Sequence, residues 1–164
     1  MHLKVFFLFL GLLITENISP DLATVRADYQ EASTSEEVAK KLHNDLITVS
    51  KKDIPVLVAY KGAVTTMMAD YTKGIKDKKL FFKEGRELLE YAIETEPNNV
   101  EIRCIRLSVQ ENAPKITGYR KNIDEDKKFI LDNFKAMTDK GEKAFVKGYA
   151  TQSEAFTDIE KRLF

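Results

Sequence analysis

The chain of 164 residues has one cysteine, no tryptophan, two histidines, seven glycines and four prolines. Each scarcity closes off a class of protein. A lone Cys104 rules out an intrachain disulfide and any paired-cysteine zinc or redox motif. So little glycine and proline excludes collagen-like and low-complexity sequence. His2 stands in the N-terminal segment, which leaves His43 alone in the body of the chain, too few histidines for a multi-histidine metal site. Lysine plus arginine equals aspartate plus glutamate at 26 each, so no overall field draws in nucleic acid. No phosphate-binding glycine loop, G-x-S-x-G elbow or H-E-x-x-H helix occurs. The expectation is a chain with no cofactor, no metal and no catalytic residue, more a binding protein than an enzyme.

What is present is a folded, helix-rich composition, 43% apolar and 32% charged. The length fits one domain. The N-terminus stands apart. Lys4 precedes ten apolar residues, 5–14 (VFFLFLGLLI), and a polar stretch follows, the layout of a secretory signal peptide. The run is too short for the roughly 20 residues that span a bilayer. A buried core helix is the other reading of this segment. The best cleavage position follows Val25-Arg26-Ala27. The expected organisation is a signal peptide at 1–27 and a single helical domain at 28–164. The expected location is the bacterial periplasm or the exterior. No stable membrane anchor is expected after cleavage, because no cysteine follows the apolar run closely enough for a lipid.

Apolar periodicity predicts five or six helices and an all-α bundle. The first takes Ser33 or Thr34 as N-cap, with Glu36 and Glu37 behind it as a capping box. Val38, Ala39, Leu42, Leu46 and Val49 form its stripe. Pro55 suits the first turn of a second helix reaching about Tyr71, although VLVAY also fits a short buried strand. A loop at 74–77 leads to a third helix capped by Asp77, with Phe81, Gly85, Leu88 and Ala92 on its stripe. Asn98 or Asn99 caps a fourth helix that ends near Glu111. Asn122 caps a fifth, with Asp124, Glu125 and Asp126 in its first turn, where negative charge suits the helix dipole. Ile123, Ile130, Phe134 and Met137 line its inner face. The C-terminus resumes the pattern at Phe145, Tyr149, Phe156, Ile159 and Leu163. Cys104 sits among Ile102, Ile105 and Leu107 and reads as a small buried apolar residue.

Gly85, Leu89, Ala92 and Pro97, continued by Asn98-Asn99, fall in the register of the second helix of a tetratricopeptide-type repeat. The chain therefore resembles such repeats over one helix and a turn, and the resemblance implies helix-turn-helix pairs with a binding face. Arg103, Arg106 and Leu107 depart from the pattern in the next helix, as do Ala69, Thr72 and Lys73 in the preceding one. The stretch PNNVEIRCIRLSVQENAP, followed by GYRKNIDEDKKFI, is also similar to a family of small uncharacterised exported bacterial proteins. That likeness implies a helical exported protein and carries over no ligand residue.

The fourth helix holds the candidate site. Plotted at about 100° per residue, Ile102, Ile105 and Val109 form one apolar stripe, and Val100, Cys104 and Leu107 a second. Arg103, Arg106 and Gln110 lie between them, with Glu101 and Ser108 on the other side. A helix apolar on two sides is packed on both. Its guanidinium groups then either pair with an acid of a neighbouring helix or hold a peptide carboxylate or other anion. The candidate binding residues are Arg103, Arg106, Gln110 and Tyr119. The leading expectation is a non-enzymatic exported module with a protein or peptide partner. The alternative is a small periplasmic enzyme or anion binder that uses this polar strip.

Overall fold

The computed structural model describes residues 20–164, which fold into eight α-helices and two short 3₁₀ turns with no strand among them. The apolar run 5–14 and its signal-peptide reading lie outside the described residues. The helices are α1 (Leu22–Ala32), α2 (Glu36–Asp45), α3 (Pro55–Tyr71) and α4 (Ile75–Thr95), then α5 (Val100–Asn112), α6 (Ile123–Asn133), α7 (Lys140–Gln152) and α8 (Asp158–Lys161). The all-α bundle is thus what the chain forms. None of these helices is long and apolar enough to cross a membrane.

Two helices fill the middle. α3 starts on Pro55 at its first turn, as expected, and runs to Tyr71. VLVAY is therefore helical. Val56, Leu57, Val58, Ala59 and Tyr60 are all buried in succession, so α3 is covered on every side rather than along one stripe. Such a segment has no usable period, which is why it reads equally as a strand. α5 is the second central helix, capped by the Asn99 side chain on the Ile102 amide and buried from Val100 through Gln110 except at Arg103 and Ser108. α3 packs along α4 and also meets α1, α2 and α5, while α6 and α7 pack on α5.

The contact of α3 with α4 is closer than side chains permit. A Cβ on Gly85 would lie 2.4 Å from the Gly62 carbonyl oxygen, and one on Gly62 would lie 2.7 Å from the Gly85 carbonyl oxygen. Two glycines thus face each other and let the backbones touch. On α4 the buried positions are Gly85, Leu89, Ala92 and Ile93. Phe81 and Leu88, expected on the stripe, are half-buried at its edge.

Several boundaries differ from the sequence reading. α1 was not expected: Asp21 caps it through the Thr24 amide, and Val25, Tyr29 and Ala32 bury at helical spacing. The 27/28 boundary therefore falls inside α1. Its Tyr29 ring meets Tyr60 edge-on at 5.2 Å, and Phe145 of α7 packs edge-on against Tyr60 and tilted against Tyr29. α2 takes Ser35 as its cap, not Ser33 or Thr34, whose hydroxyls bond back to the preceding helix. α4 has Gly74 at its N-cap, so Asp77 lies in its first turn and does not cap it. Asn122 occupies the N-cap of α6, but its side chain donates to Glu125 and caps no amide. Ile159 and Leu163 are exposed, and Phe156 with the terminal Phe164 closes the end of the core instead.

Candidate functional site

Burying most of α5 makes an unpartnered polar group on it costly. Arg106, 4% exposed, donates from Nε to Asp126 Oδ2 at 2.6 Å and from Nη2 to Asp126 Oδ1 at 2.7 Å. Asp126 is itself fully buried. The fork is bidentate, the geometry in which a guanidinium matches a carboxylate best. Arg103 adds a bond to the same Asp126 oxygen at 2.9 Å, one to Glu125 at 2.7 Å and one to the Pro97 carbonyl at 2.8 Å. It also lies over the Phe129 ring at 4.5 Å. The acids at the start of α6 therefore do more than complement a helix dipole. Glu125 and Asp126 are counter-ions of the arginine strip, and residues 113–122 bring them back against it.

The network reaches the surface through Glu90 of α4. Its Oε2 accepts from Arg106 Nη1 at 3.2 Å and its Oε1 accepts from the Tyr119 hydroxyl at 2.5 Å. Burial, and then the hydrogen bond to the Glu90 carboxylate, push the Tyr119 phenol well above its ordinary range. The Arg106 guanidinium is held firmly charged: its hydrogen bonds and proximity to Asp126 outweigh the desolvation that opposes them. Gln110 is fully buried behind this network, with a 3.4 Å contact from Nε2 to Asn122 and no partner for its carbonyl oxygen among the described residues.

Outside Glu90 lies an open groove of about 590 Å³. Its floor is the outer face of α4 with Glu87, Glu90 and Glu94. One wall is Tyr91 with Lys51, whose ammonium sits 4.7 Å from the Tyr91 ring; the other is Tyr119 with Lys121, beside Arg86. Gly118 turns the second wall with φ of 65°, a left-handed conformation that favours glycine. Of the four expected binding residues, only Tyr119 lines this groove. Arg103 and Arg106 point inward to Asp126, and Gln110 is enclosed.

Sequence reasoning missed a second buried network. Glu101 accepts from Arg26 Nε and Nη2, both at 2.7 Å, and from the Tyr60 hydroxyl at 2.6 Å. Ser108 meets the Tyr29 hydroxyl at 2.8 Å. Glu101 and Ser108 share the face of α5 that turns to α1 and α3, a face with no visible purpose while α1 was unrecognised. Glu111 does similar work at the end of α7, where it accepts from Ser153, the Ala155 amide and the Tyr149 hydroxyl. Cys104 is buried, and desolvation, with Glu101, Glu111 and Asp126 nearby, raises its thiol far out of the reactive range. No family model, no curated protein and no solved structure matches this chain.

Proposed function

We propose that this protein is a non-enzymatic helical binding module and that the groove over α4 takes a segment of a protein partner. The observation that carries the reading is where the polar chemistry goes. Arg106, Asp126, Glu101 and Glu111 are consumed in internal bonds that hold helices together. An enzyme in this bundle needs an acid, base or nucleophile free in an enclosed pocket. Here the accessible groups line an open groove, walled by two tyrosines and by cations. Amphipathic aromatic walls with adaptable charge suit protein surfaces. The anion-binder alternative loses both of its donors to Asp126.

A photo-reactive residue at position 121, on the groove wall, tests the reading against one at exposed position 140 in α7. Discrete protein adducts at 121 and not at 140 support it. No adduct at 121, or the same adducts at both positions, refutes it.

We further propose that the chain is exported and loses its N-terminus. The layout of Lys4 and the apolar run motivates this. Val25 is 2% exposed and Arg26 holds Glu101, so a cut after Ala27 would strip two supports from the bundle. The cut that leaves α1 whole lies ahead of its cap, Asp21. Mass spectrometry of the native protein should find an N-terminus at or before that residue. An intact Met1 refutes export by this route, and a start at Asp28 refutes the role given to α1.

A further inference from the structure

The outer face of α4 carries its charge in an order that α2 and α6 reverse. Residues 75–83 hold four lysines against one aspartate, and residues 84–95 hold four glutamates against one arginine. Positive charge at the start of a helix and negative charge at its end oppose the backbone dipole. α2 and α6 do the reverse and open on acids. The start of α4 also stands clear of its neighbours. Residues 75–80 are exposed without interruption, with Ile75 at 74% and Leu80 at 51%. Among the described residues Lys76, Lys79 and Glu94 make no ion pair, and Lys83 reaches Glu87 only at 3.8 Å.

The order is palindromic. Lys76, Lys83, Glu87 and Glu94 are separated by seven, four and seven residues. At 100° per residue they fall within about 40° of one another on the helix surface. A two-fold axis through the level of Gly85 therefore sets Lys76 against Glu94 and Lys83 against Glu87 of a second, antiparallel α4, and repeats both pairs by symmetry. The same axis brings Leu80 beside the partner's Tyr91, since both lie on one edge of the strip. It also lays residues 75–83 of each copy along the groove floor of the other.

We propose that the outer face of α4 is a self-docking surface on which a second copy of the chain binds antiparallel, each basic helix start seated in the other copy's groove. This deepens the groove reading, because it names the occupant. The interface is isologous, as two-fold dimers are, and belongs to the helix-in-groove class. Its specificity is electrostatic, in the way flanking charges set partner orientation in paired helices. Lys51 and Lys121 on the groove walls temper the attraction for an incoming basic helix. The dimer is accordingly weak and sensitive to salt.

Sedimentation of the purified native protein tests this. At low salt the wild type should show a concentration-dependent monomer–dimer equilibrium that dissolves near 1 M NaCl, where the screening length falls to about 3 Å. K76E/K83E and E87K/E94K change only exposed positions, so each should fold and each should be monomeric, since each now repels itself. Mixed in equal amounts, the two variants should form a heterodimer, because every facing pair is again opposite in charge. A wild type that stays monomeric at low salt overturns the proposal, as do variants that still dimerise or a mixture that does not associate. The crosslink at position 121 separates this failure from that of the groove reading. A monomeric wild type whose 121 adduct contains another protein loses self-docking and keeps the groove.

Discussion

Replacing Gly85 with alanine adds one methyl group where α4 crosses α3. At an exposed helix position this change would stabilise by roughly 1 kcal/mol, because glycine has the more mobile unfolded chain. Here the new Cβ would sit 2.4 Å from the Gly62 carbonyl oxygen, 2.6 Å from Thr66 Cγ2 and 2.7 Å from the Thr66 amide nitrogen. The methyl of Thr66 could turn aside, at the cost of its hydroxyl bond to the Ala63 carbonyl. The two backbone atoms cannot. α3 and α4 must therefore part by most of an ångström, against the packing of Leu89 and Ala92, which are fully buried beside the crossing. Overpacking of this kind costs about 1–3 kcal/mol, and opposition by backbone puts it at the upper end. After the helix gain is subtracted, a net loss of about 2 kcal/mol remains, or roughly 4–8 °C in melting temperature for a chain of this size. Gly148→Ala is the control, since its Cβ would meet only the movable amide of Gln30 at 3.1 Å. Thermal unfolding by circular dichroism should show Gly85→Ala falling and Gly148→Ala holding or rising. If Gly85→Ala rises with its control, the helices do not touch there, and the account of the α3–α4 pair fails.

Arg106→Ala should destabilise by about 3 kcal/mol in urea, the low end for a broken buried pair, because Arg103 still reaches Asp126; an unchanged midpoint would mean that Asp126 is hydrated. His43, half-buried against Phe81, has its pKa lowered by desolvation first and by Lys61 second. A base with a depressed folded pKa binds its proton more readily when unfolded, so stability should rise with pH as the solution passes upward through the folded and then the unfolded pKa of His43. His43→Leu should flatten that part of the stability profile; an unaltered slope sinks the assignment. Cys104 should resist thiol reagents in the native state and react only upon unfolding, so labelling at neutral pH without denaturant would contradict its burial.

The parts of the fold that were legible in sequence had local punctuation. Pro55 and Asn99 mark helix starts by their own chemistry, and α3 and α5 begin where they say. α1 has punctuation too, in Asp21 and the spacing of Leu22, Val25, Tyr29 and Ala32. The same residues, however, serve as the flank of a signal segment, and small residues near a cleavage site compete with a helix for the same letters. The arginine strip was legible as a strip, since a helix apolar on two faces must satisfy what lies between. Its partner was not. Asp124, Glu125 and Asp126 fit the first turn of any helix, and only the return of residues 113–122 shows that one of the three, Asp126, is fully buried.

The groove was illegible for a different reason. Its floor is one helix, but its walls come from Lys51 ahead of α3 and from residues 118–121 after α5, and no spacing rule links segments that far apart. The charge order of α4, by contrast, was open to inspection in the sequence. Local rules treat lysines before glutamates only as a small penalty against the dipole, so the pattern passes as a solvated face. Its meaning depends on two tertiary facts. Gly85 must turn inward at the crossing with Gly62, which directs Lys76, Lys83, Glu87 and Glu94 outward on one strip. Residues 75–80 are then left uncovered by the other described residues, as their exposure shows. An antiparallel copy is the occupant proposed for that face, because it sets each lysine of the strip against a glutamate. The glycine contact that fixes the interior therefore also decides which residues a second molecule would meet.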